Sequence, residues 1–215
     1  MNIIILLGPA GSGKGTQSKY IQTEYNYFHI STGDLLRNEV ASHSTLGQKV
    51  RSVIESGNLV SDDIILDIIK ENLNKISEDK SNKGVVFDGF PRTLDQAKGL
   101  DTLLAQMSRE VSGVLHFELP LDECVHRISG RRIDSRNNNV YHIEYNPAPE
   151  EAAPFLQARD DDSPEKVKHR YTVFEQETTP LLAYYKEKLT AIDCMKSIES
   201  INQQIKQTLN NVTCI

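Results

Sequence analysis

The chain has 215 residues, of which 38% are hydrophobic and 25% are charged. This size and composition are typical of a soluble globular protein with one α/β core and one or two small insertions. The formal net charge of −6 disfavours a general binder of nucleic acids or anionic membranes, because such a binder needs a basic surface. The first apolar run, MNIIILL, is too short to span a membrane and lacks the charged start of a signal peptide.

The predicted elements alternate between short apolar strands and amphipathic helices. In chain order, the pattern predicts the strand 2–7 and helix 14–24, the strand 27–30 followed by helices 35–42, 46–56 and 62–75, the strand 84–88 and helix 94–107, the strand 111–118 and helix 121–128, a long helical stretch 164–189 bent near Pro180, the strand 190–193, and the helix 197–209. This alternation predicts an α/β fold in which a five-stranded parallel sheet is flanked by helices.

Residues 131–162 interrupt this alternation. The segment contains several prolines and the asparagine triplet 137–139, and it shows no helical periodicity. A loop of this length within a compact domain is usually functional or disordered. The alternating residues VYHIEY, 140–145, favour a small β-structured flap over disorder.

Neither the cysteines nor the histidines indicate a metal site. The three cysteines, Cys124, Cys194 and Cys214, are widely spaced and form no CxxC pair, which predicts free thiols in a reducing cytosol. The histidines show no spacing such as HExxH. We interpret five of them as ordinary core or surface residues: His29, His43, His116, His126 and His169.

The stretch GPAGSGKGT, residues 8–16, predicts a phosphate-binding loop between the first strand and the first helix. Its glycines let backbone N–H groups turn around an anion, and the positive end of the following helix points at the same place. Lys14 can reach the β- and γ-phosphates, and Thr16 supplies a hydroxyl. The motif is unusual because Gly15 separates the lysine from the hydroxyl residue.

Three further motifs follow in order: STGDLLR at 31–37, DGFPRT at 88–93, and a GRR, VYH and NP pattern between residues 130 and 147. Together with the loop, they resemble the adenylate kinases, the nucleoside monophosphate kinases with a long lid, over essentially the whole chain. The resemblance implies a P-loop core domain of residues 1–30, 61–129 and 163–215. It also implies two insertions: a helical monophosphate-binding segment at 31–60, here called the NMP segment, and a lid segment at 130–162.

The resemblance implies reversible phosphoryl transfer from Mg·ATP to AMP, which gives two ADP. The partners would be ATP, AMP and ADP, without nucleic acid or membrane, and the protein would be a cytoplasmic monomer. Asp88 ends a predicted buried strand, where a carboxylate can hold Mg²⁺ through water, as in other P-loop enzymes. The lid would exclude water, since water would otherwise accept the phosphoryl group.

The resemblance also implies the site residues. Those expected to position and neutralise the transferring phosphates are Lys14, Arg92, Arg127, Arg131, Arg159 and Arg170. Those expected to bind ATP are Gly11, Ser12, Gly13, Lys14, Gly15, Thr16, Arg127, Arg131, Val140, Tyr141, His142 and Lys196. Those expected to bind AMP are Thr32, Arg37, Asn58, Leu59, Val60, Gly89, Phe90, Pro91, Arg92, Gln96, Arg159 and Arg170.

These assignments place seven cations, the six catalytic candidates and Arg37, around one cleft. Arginine suits this role because its planar fork holds two phosphate oxygens. Gln96, four residues beyond Arg92 on one helix face, matches the glutamine that reads adenine in the family. Ser31 is expected to cap the helix that follows it. Arg132 is left without a functional assignment, and Asp161 or Asp162 is its candidate partner.

The lid segment departs from the family pattern. Some long-lid relatives close it with four cysteines, or three and an aspartate, around zinc. Here Asp134 and Asn137 stand at the first pair, and the second pair falls in the shortened stretch between Asn146 and Arg159. Because an asparagine amide is a poor zinc ligand, we expect no zinc, and the fold of the lid tip is left open.

Alternative functions are a uridylate or cytidylate kinase, a kinase that uses GTP to phosphorylate AMP, and a non-catalytic nucleotide-binding regulator. The first group tends to read Ser-Ala-Gly-Asp and to have a short lid, so Thr32, Gln96 and the long lid favour AMP. The donor base is left open because its contacts are largely made through the backbone. Seven cations disfavour a regulator, since a sensor of one nucleotide needs no second phosphate clamp.

Overall fold

The computed structural model describes residues 1–42, 44–56, 58–77 and 83–213. In chain order the described residues form β1 (Asn2–Leu7), α1 (Lys14–Tyr25), β2 (Tyr27–Ser31), α2 (Thr32–Ala41), α3 (Thr45–Glu55), α4 (Asp62–Ser77), β3 (Gly84–Asp88), α5 (Leu94–Gln106), β4 (Gly113–Glu118), α6 (Leu121–Ser129), β5 (Arg131–Asp134), β6 (Val140–His142), β7 (Leu156–Gln157), α7 (Pro164–Val173), α8 (Pro180–Tyr184), β8 (Leu189–Asp193) and α9 (Ile198–Thr213). His43 and Cys214, which the sequence analysis interprets, lie outside these residues.

Five parallel strands form the central sheet in the order β2-β3-β1-β4-β8. Alternate residues of β1 point to opposite faces of the sheet. Ile3 and Ile5 pack with the apolar sides of α2 to α5 and α8, whereas Ile4 and Leu6 pack with α1, α6, α7 and α9. The sheet is therefore covered by helices on both faces, and the predicted fold class is confirmed.

The carboxyl ends of these strands meet at one edge of the sheet. Leu6 is in register with Asp88, and Asp88 is in register with Ser31 on the other side. The glycine loop follows β1, while STGD and DGFPR continue from β2 and β3. In open α/β sheets ligands bind at this edge, so the fold brings the three motifs to one place.

Most predicted element bounds agree with the structure to within three residues, but the long helical stretch does not. It is divided into α7, a π-helical turn Phe174–Thr178, α8 and a 3-10 turn Lys186–Lys188, and Leu189 belongs to β8. In the π turn the N–H of Thr179 donates to the carbonyl of Phe174 over 3.1 Å. Pro180 follows directly and has no N–H to continue the α-helical pattern.

The lid segment is folded, as its alternation predicts. β5, β6 and β7 form a small antiparallel sheet in the order β6-β5-β7. The strand in VYHIEY ends at His142, because the chain turns back there and pairs His142 with Asn146. The lid tip is a 3-10 helix, Glu150–Phe155, in which Ala152 is buried.

Cys124 and Cys194 are free and buried, and burial raises the pKa of their thiols to about 11 and about 12. Among the helices in the described ranges, none is both long enough and apolar enough to cross a bilayer.

Candidate functional site

The glycine loop turns sharply between β1 and α1. Gly11 and Gly13 have positive φ angles of 85° and 90°, which glycine adopts without steric cost, and Gly13 caps α1. Lys14, the first residue of α1, folds back so that its Nζ donates to the carbonyl oxygens of Gly8 (2.7 Å) and Pro9 (2.8 Å). The loop thus places an ammonium group beside a helix N-terminus, the arrangement that suits phosphate.

Burial and neighbouring charges tune the two ionisable groups of this loop. Burial, with the charges of Arg92 and Arg170, lowers the pKa of Lys14 to about 8, although the charge of Asp88 acts in the opposite direction. For Asp88 burial alone would raise the pKa, but His29 and Lys14 outweigh it and the net pKa is lowered. Lys14 is therefore mostly charged, and Asp88 fully ionised, near pH 7.

Asp88 is the carboxylate at this edge of the sheet that would hold Mg²⁺ through water. A Cβ added to Gly15 would lie 3.6 Å from Oδ2 of Asp88, so the carboxylate stands beside the start of α1, where Gly15 precedes Thr16 in the chain. An ionised carboxylate and a hydroxyl are suitable partners for Mg²⁺. Within the part of the chain that the structure describes, no group of three or more His, Cys, Asp or Glu side chains is arranged around a metal position.

The turn after Asp88 fixes Arg92. Gly89 has a φ of 77°, and its carbonyl oxygen accepts from Nε of Arg92 and from the hydroxyl of Thr32, each at 2.8 Å. The hydroxyl of Thr178, in the π turn, donates to the carbonyl oxygen of Arg92 over 2.9 Å. Burial, then Arg170, lower the pKa of Arg92 to about 10, so it stays charged. These contacts give the guanidinium a defined position.

Arginines on and after the lid segment pair with two consecutive aspartates, Asp161 and Asp162. Arg131 makes a two-pronged contact with Asp162, and Arg170 donates to Asp161 over 2.7 Å. The prediction for Arg132 is wrong: its Nη1 donates to the carbonyl oxygens of Ser129 and Arg131 instead. Consecutive residues of a strand point to opposite faces, so only one of the two neighbouring arginines of β5 can face the aspartates.

A further pair joins the lid to the NMP segment. Arg37 donates to Asp34 over 2.6 Å, and Nη2 of Arg159 lies 3.8 Å from the same carboxylate oxygen. Ser31 caps α2 by accepting from the N–H of Asp34, as predicted. Burial, then the charges of Arg37 and Arg131, lower the pKa of Arg159 to about 10. Asp34 thus holds two arginines from different segments close together.

Six of the seven predicted cations influence one another electrostatically: Lys14, Arg37, Arg92, Arg131, Arg159 and Arg170. Arg127 lies at the edge of this group. Its Nε donates to Glu123 over 2.7 Å and its Nη2 to the carbonyl of Cys194 over 3.0 Å. Lys196 is exposed in the turn two residues further along.

Two adjoining clefts lie among these residues. The first, the acceptor cleft, has a volume of about 580 Å³ and runs between the NMP segment and α5. Nine of the twelve residues predicted to bind AMP line it: Thr32, Arg37, Asn58, Leu59, Val60, Gly89, Arg92, Gln96 and Arg170. Of the other three, Phe90 is buried in the core against Phe87, Pro91 lines the second cleft, and Arg159 contacts Asp34 as described.

The second cleft, here called the donor cleft because it borders the glycine loop, has a volume of about 550 Å³ and is lined there by Gly8, Pro9, Ala10 and Lys14. Lys14 is one of the twelve residues predicted to bind ATP, and the other eleven are not among the lining residues of this cleft. Four residues line both clefts: Leu59, Gly89, Arg92 and Arg170. Two arginines therefore stand where the phosphate loop meets the acceptor cleft.

Of the lid residues expected near the donor base, His142 belongs to an aromatic group with Tyr145 and His126. Nδ1 of His142 accepts from the N–H groups of Glu144 and Tyr145, each at 3.1 Å, so its proton is assigned to Nε2. Its ring stacks on Tyr145 at 4.5 Å, and the hydroxyl of Tyr145 contacts His126 at 2.8 Å. Tyr141 is partly buried and Val140 is exposed.

Sequence reasoning missed several residues that support the site. Nε2 of His29 lies 3.8 Å from Asp88, and the side chain of Gln96 contacts Asp62. Both contacts join residues far apart in sequence, so no local motif signals them. The pairing of Arg170 with Asp161 was accessible, since nine residues separate them on either side of the start of α7.

The parallel sheet, the glycine loop at its edge and the lysine beside it define a P-loop nucleotide-binding protein. A family model described as "Adenylate kinase" matches residues 6–190. Curated relatives named adenylate kinase come from Clostridium acetobutylicum (38% identical; 97% of this chain and 99% of the relative covered), Archaeoglobus fulgidus (39%; 97% and 98%) and Staphylococcus epidermidis (37%; 97% and 99%). The chain belongs to the adenylate kinase family.

Proposed function

We propose that this chain catalyses reversible transfer of the γ-phosphoryl group of Mg·ATP to AMP, which yields two ADP. One observation carries this proposal: Arg92 and Arg170 line both the donor cleft and the acceptor cleft. A group that transfers between two bound nucleotides must pass the point where their phosphates meet. Cations at that point would neutralise charge on both nucleotides. The membership of this chain in the adenylate kinase family supports the same reaction.

For the donor, we propose that residues 11–16 of the glycine loop hold the phosphates of ATP. Arg127, Arg131, Lys196 and the lid residues 140–142 would border the rest of the nucleotide. Mg²⁺, when bound, would neutralise charge on the phosphates, and Asp88 would hold it through water. Asp88 is suited to this because its pKa is lowered by His29 and Lys14 in spite of burial.

For the acceptor, we propose that Arg37, Arg92, Arg159 and Arg170 bind the phosphate of AMP and that Gln96 contacts its base. Several of these arginines are already paired with aspartates, Arg37 with Asp34 and Arg170 with Asp161. A bound phosphate would accept from some of the N–H groups of each guanidinium in place of the carboxylate, because guanidinium binds phosphate and carboxylate with the same geometry.

In the transfer step, the bond between the γ-phosphorus and its bridging oxygen breaks as a bond forms to an oxygen of AMP. The proteins that catalyse such a step mainly position the reactants and neutralise charge. We propose that the NMP segment and the lid segment act as two closing domains on the core, and that their closure excludes water. The contact of Arg159 with Asp34 supports an approach of this kind. We further propose that the enzyme is a cytoplasmic monomer, consistent with its buried free thiols.

The experiment is a coupled assay of ADP formation with AMP, UMP, CMP or GMP as acceptor and ATP or GTP as donor. We expect ATP to be consumed only when AMP is added, and AMP to have the highest kcat/KM. Higher activity with UMP or CMP would contradict the assignment of the acceptor. Nucleotide binding without turnover with any acceptor would identify a regulator, and gel filtration of the same sample tests the monomer.

A further inference from the structure

The side-chain amide of Gln96 is held at both ends by the protein. Its Oε1 accepts from the backbone N–H of Arg92, and its Nε2 donates to Oδ1 of Asp62, each at 2.7 Å. Asp62, the first residue of α4, is itself held because its Oδ2 accepts from the hydroxyl of Thr93 at 3.0 Å. Gln96 is only 2% exposed, yet it lines the acceptor cleft.

These contacts permit one orientation of the amide. If the amide were rotated by half a turn, its NH₂ group would face the N–H of Arg92 and its oxygen would face the carboxylate of Asp62. Two donors and two acceptors would then oppose each other in a buried place, which is costly. The contact with Asp62 is the stronger constraint, because its acceptor carries a charge.

A fixed amide presents a fixed pattern to a base in the cleft. The amide nitrogen carries two N–H groups and the oxygen has two lone pairs, and the contacts with Asp62 and Arg92 use one of each. The other N–H and the other lone pair form an adjacent donor and acceptor. Adenine offers N1 as acceptor beside its 6-amino donor, which complements this pattern. Hypoxanthine and guanine offer an N1–H donor beside the O6 acceptor, which reverses it.

We propose that Asp62 is a positioning residue that sets purine selectivity. By fixing the orientation of the Gln96 amide, it makes the acceptor cleft select a 6-aminopurine monophosphate over a 6-oxopurine monophosphate. The inference rests on the proposed function, because it takes this cleft as the site of AMP. Asp62 contacts no substrate in this scheme and acts only through Gln96.

The test compares AMP with inosine monophosphate (IMP), a 6-oxopurine nucleotide of the same size, at saturating ATP. We expect the Asp62→Ala variant to lower the ratio of the kcat/KM for AMP to that for IMP by at least about tenfold, since a two-point base contact discriminates by this amount or more. The Asp62→Asn variant should keep the ratio within about threefold of wild type, because its oxygen can still accept from Gln96. Asp63→Ala is the matched control, since Asp63 is exposed in the same helical turn.

A residue with a purely structural role would lower both kcat/KM values in the same proportion, and that result would overturn the inference. A ratio in Asp62→Asn as low as in Asp62→Ala would overturn it as well. In a Gln96→Ala background, adding Asp62→Ala should leave the ratio unchanged, because Asp62 acts through the missing amide. A further fall there would contradict the proposal.

Circular dichroism melts establish that each variant is folded. If Asp62→Ala is not, Asp62→Ser replaces it, since serine keeps a polar group at the start of α4 and is too short to reach Gln96. Wild-type protein that does not phosphorylate AMP would overturn the proposed function and this inference with it. Wild-type activity on AMP with an unchanged ratio in the variant would overturn the inference alone.

Discussion

Lys14 and Arg92 are the residues whose loss should affect turnover most. Lys14 binds the carbonyls of the glycine loop, and Arg92 lines both clefts. We expect Lys14→Met and Arg92→Ala each to lower kcat by at least about 100-fold, because fixed cations act most strongly where charge develops. Steady-state kinetics on folded protein measures this, with Lys19→Met, an exposed lysine of α1, as control. A kcat near the wild-type value in either variant would contradict the assignment.

The lowered pKa of Lys14 predicts how donor binding depends on pH. Burial holds this pKa at about 8, and a bound phosphate would raise it because an anion favours the charged ammonium. ATP affinity should therefore be nearly constant around pH 7 and weaken as the pH rises through about 8, where the free protein loses the proton. Calorimetry between about pH 7 and pH 9.5 measures the affinity. Lys14→Met should give a flatter curve, and identical curves would refute this role.

Gln96 should affect the acceptor more than the donor. We expect Gln96→Ala to raise the KM for AMP more than the KM for ATP, because Gln96 lines the acceptor cleft and does not line the donor cleft. A moderate fall in kcat is also expected, since Oε1 of Gln96 holds the N–H of Arg92. Kinetics with each nucleotide varied in turn tests this, with the exposed Gln106 of the same helix changed to Ala for comparison. Equal rises in the two KM values would show that Gln96 does not read the acceptor base.

At the scale of single residues, the sequence identified groups with local signatures and missed groups whose partners are distant. Lys14 was predictable because it belongs to the glycine motif that follows β1, and Asp88 because it ends an apolar strand. Asp62 was not, since its partner Gln96 lies 34 residues away and only the fold brings them together. Arg132 differs for another reason: it follows Arg131 in β5, and consecutive side chains of a strand point to opposite faces.

Among the elements, the lid segment contains an ion pair and a cation–ring contact that involve the same arginine. Asp134 is fully buried, and its carboxylate accepts from the guanidinium of Arg136 at 3.0 Å and 2.6 Å. The same guanidinium lies 4.0 Å above the ring of Phe155, close enough for a cation–π interaction. These contacts join the strand β5 to the lid tip.

We therefore expect no zinc in the purified protein, and no change in melting temperature when a chelator is added. Metal analysis and thermal melts measure the two quantities. About one zinc per chain, or a clear fall in melting temperature on chelation, would show this view of the lid to be wrong.

Arg136→Ala should increase proteolysis within the lid, because it leaves the buried carboxylate of Asp134 without its cation. Ser135→Ala, at an exposed neighbour, should not.

Element types were predictable wherever apolar runs were long and bounded by glycine or a cap, as for β1 and β3. The stretch 164–189 was not, because its composition is helical throughout. Only the hydrogen bond from the N–H of Thr179 to the carbonyl of Phe174 shows where the α-helix changes to a π turn. The bend was expected at Pro180, and the structure places the change of pattern in the turn just before it.

For the whole molecule, contacts across the acceptor cleft should govern its closure. Besides Asp34 and Arg159, a second contact joins Asn58 to α7, where its Oδ1 lies 2.9 Å from Nε2 of His169. We expect His169→Ala to raise the KM for AMP by roughly threefold without lowering kcat, since one exposed hydrogen bond contributes about 0.5–1 kcal/mol. Kinetics with varied AMP measures this, and Lys168→Ala, an exposed neighbour on α7, is the control. A fall in kcat with constant KM would contradict a role in closure.

The strand order also decides when the phosphate loop can form during folding. β1 lies at the centre of the sheet, but its neighbours come late: Asn2 is in register with Gly84, and Ile4 with Gly113. In a nascent chain in which β3 and β4 are not yet synthesised, β1 has neither of its neighbouring strands. The loop that follows β1 is then not held in position by the sheet. Pairings this distant form slowly, because a long loop must close before they contribute. Nucleotide can therefore assist only the last stage of folding, and an early-stalled chain would gain nothing from it.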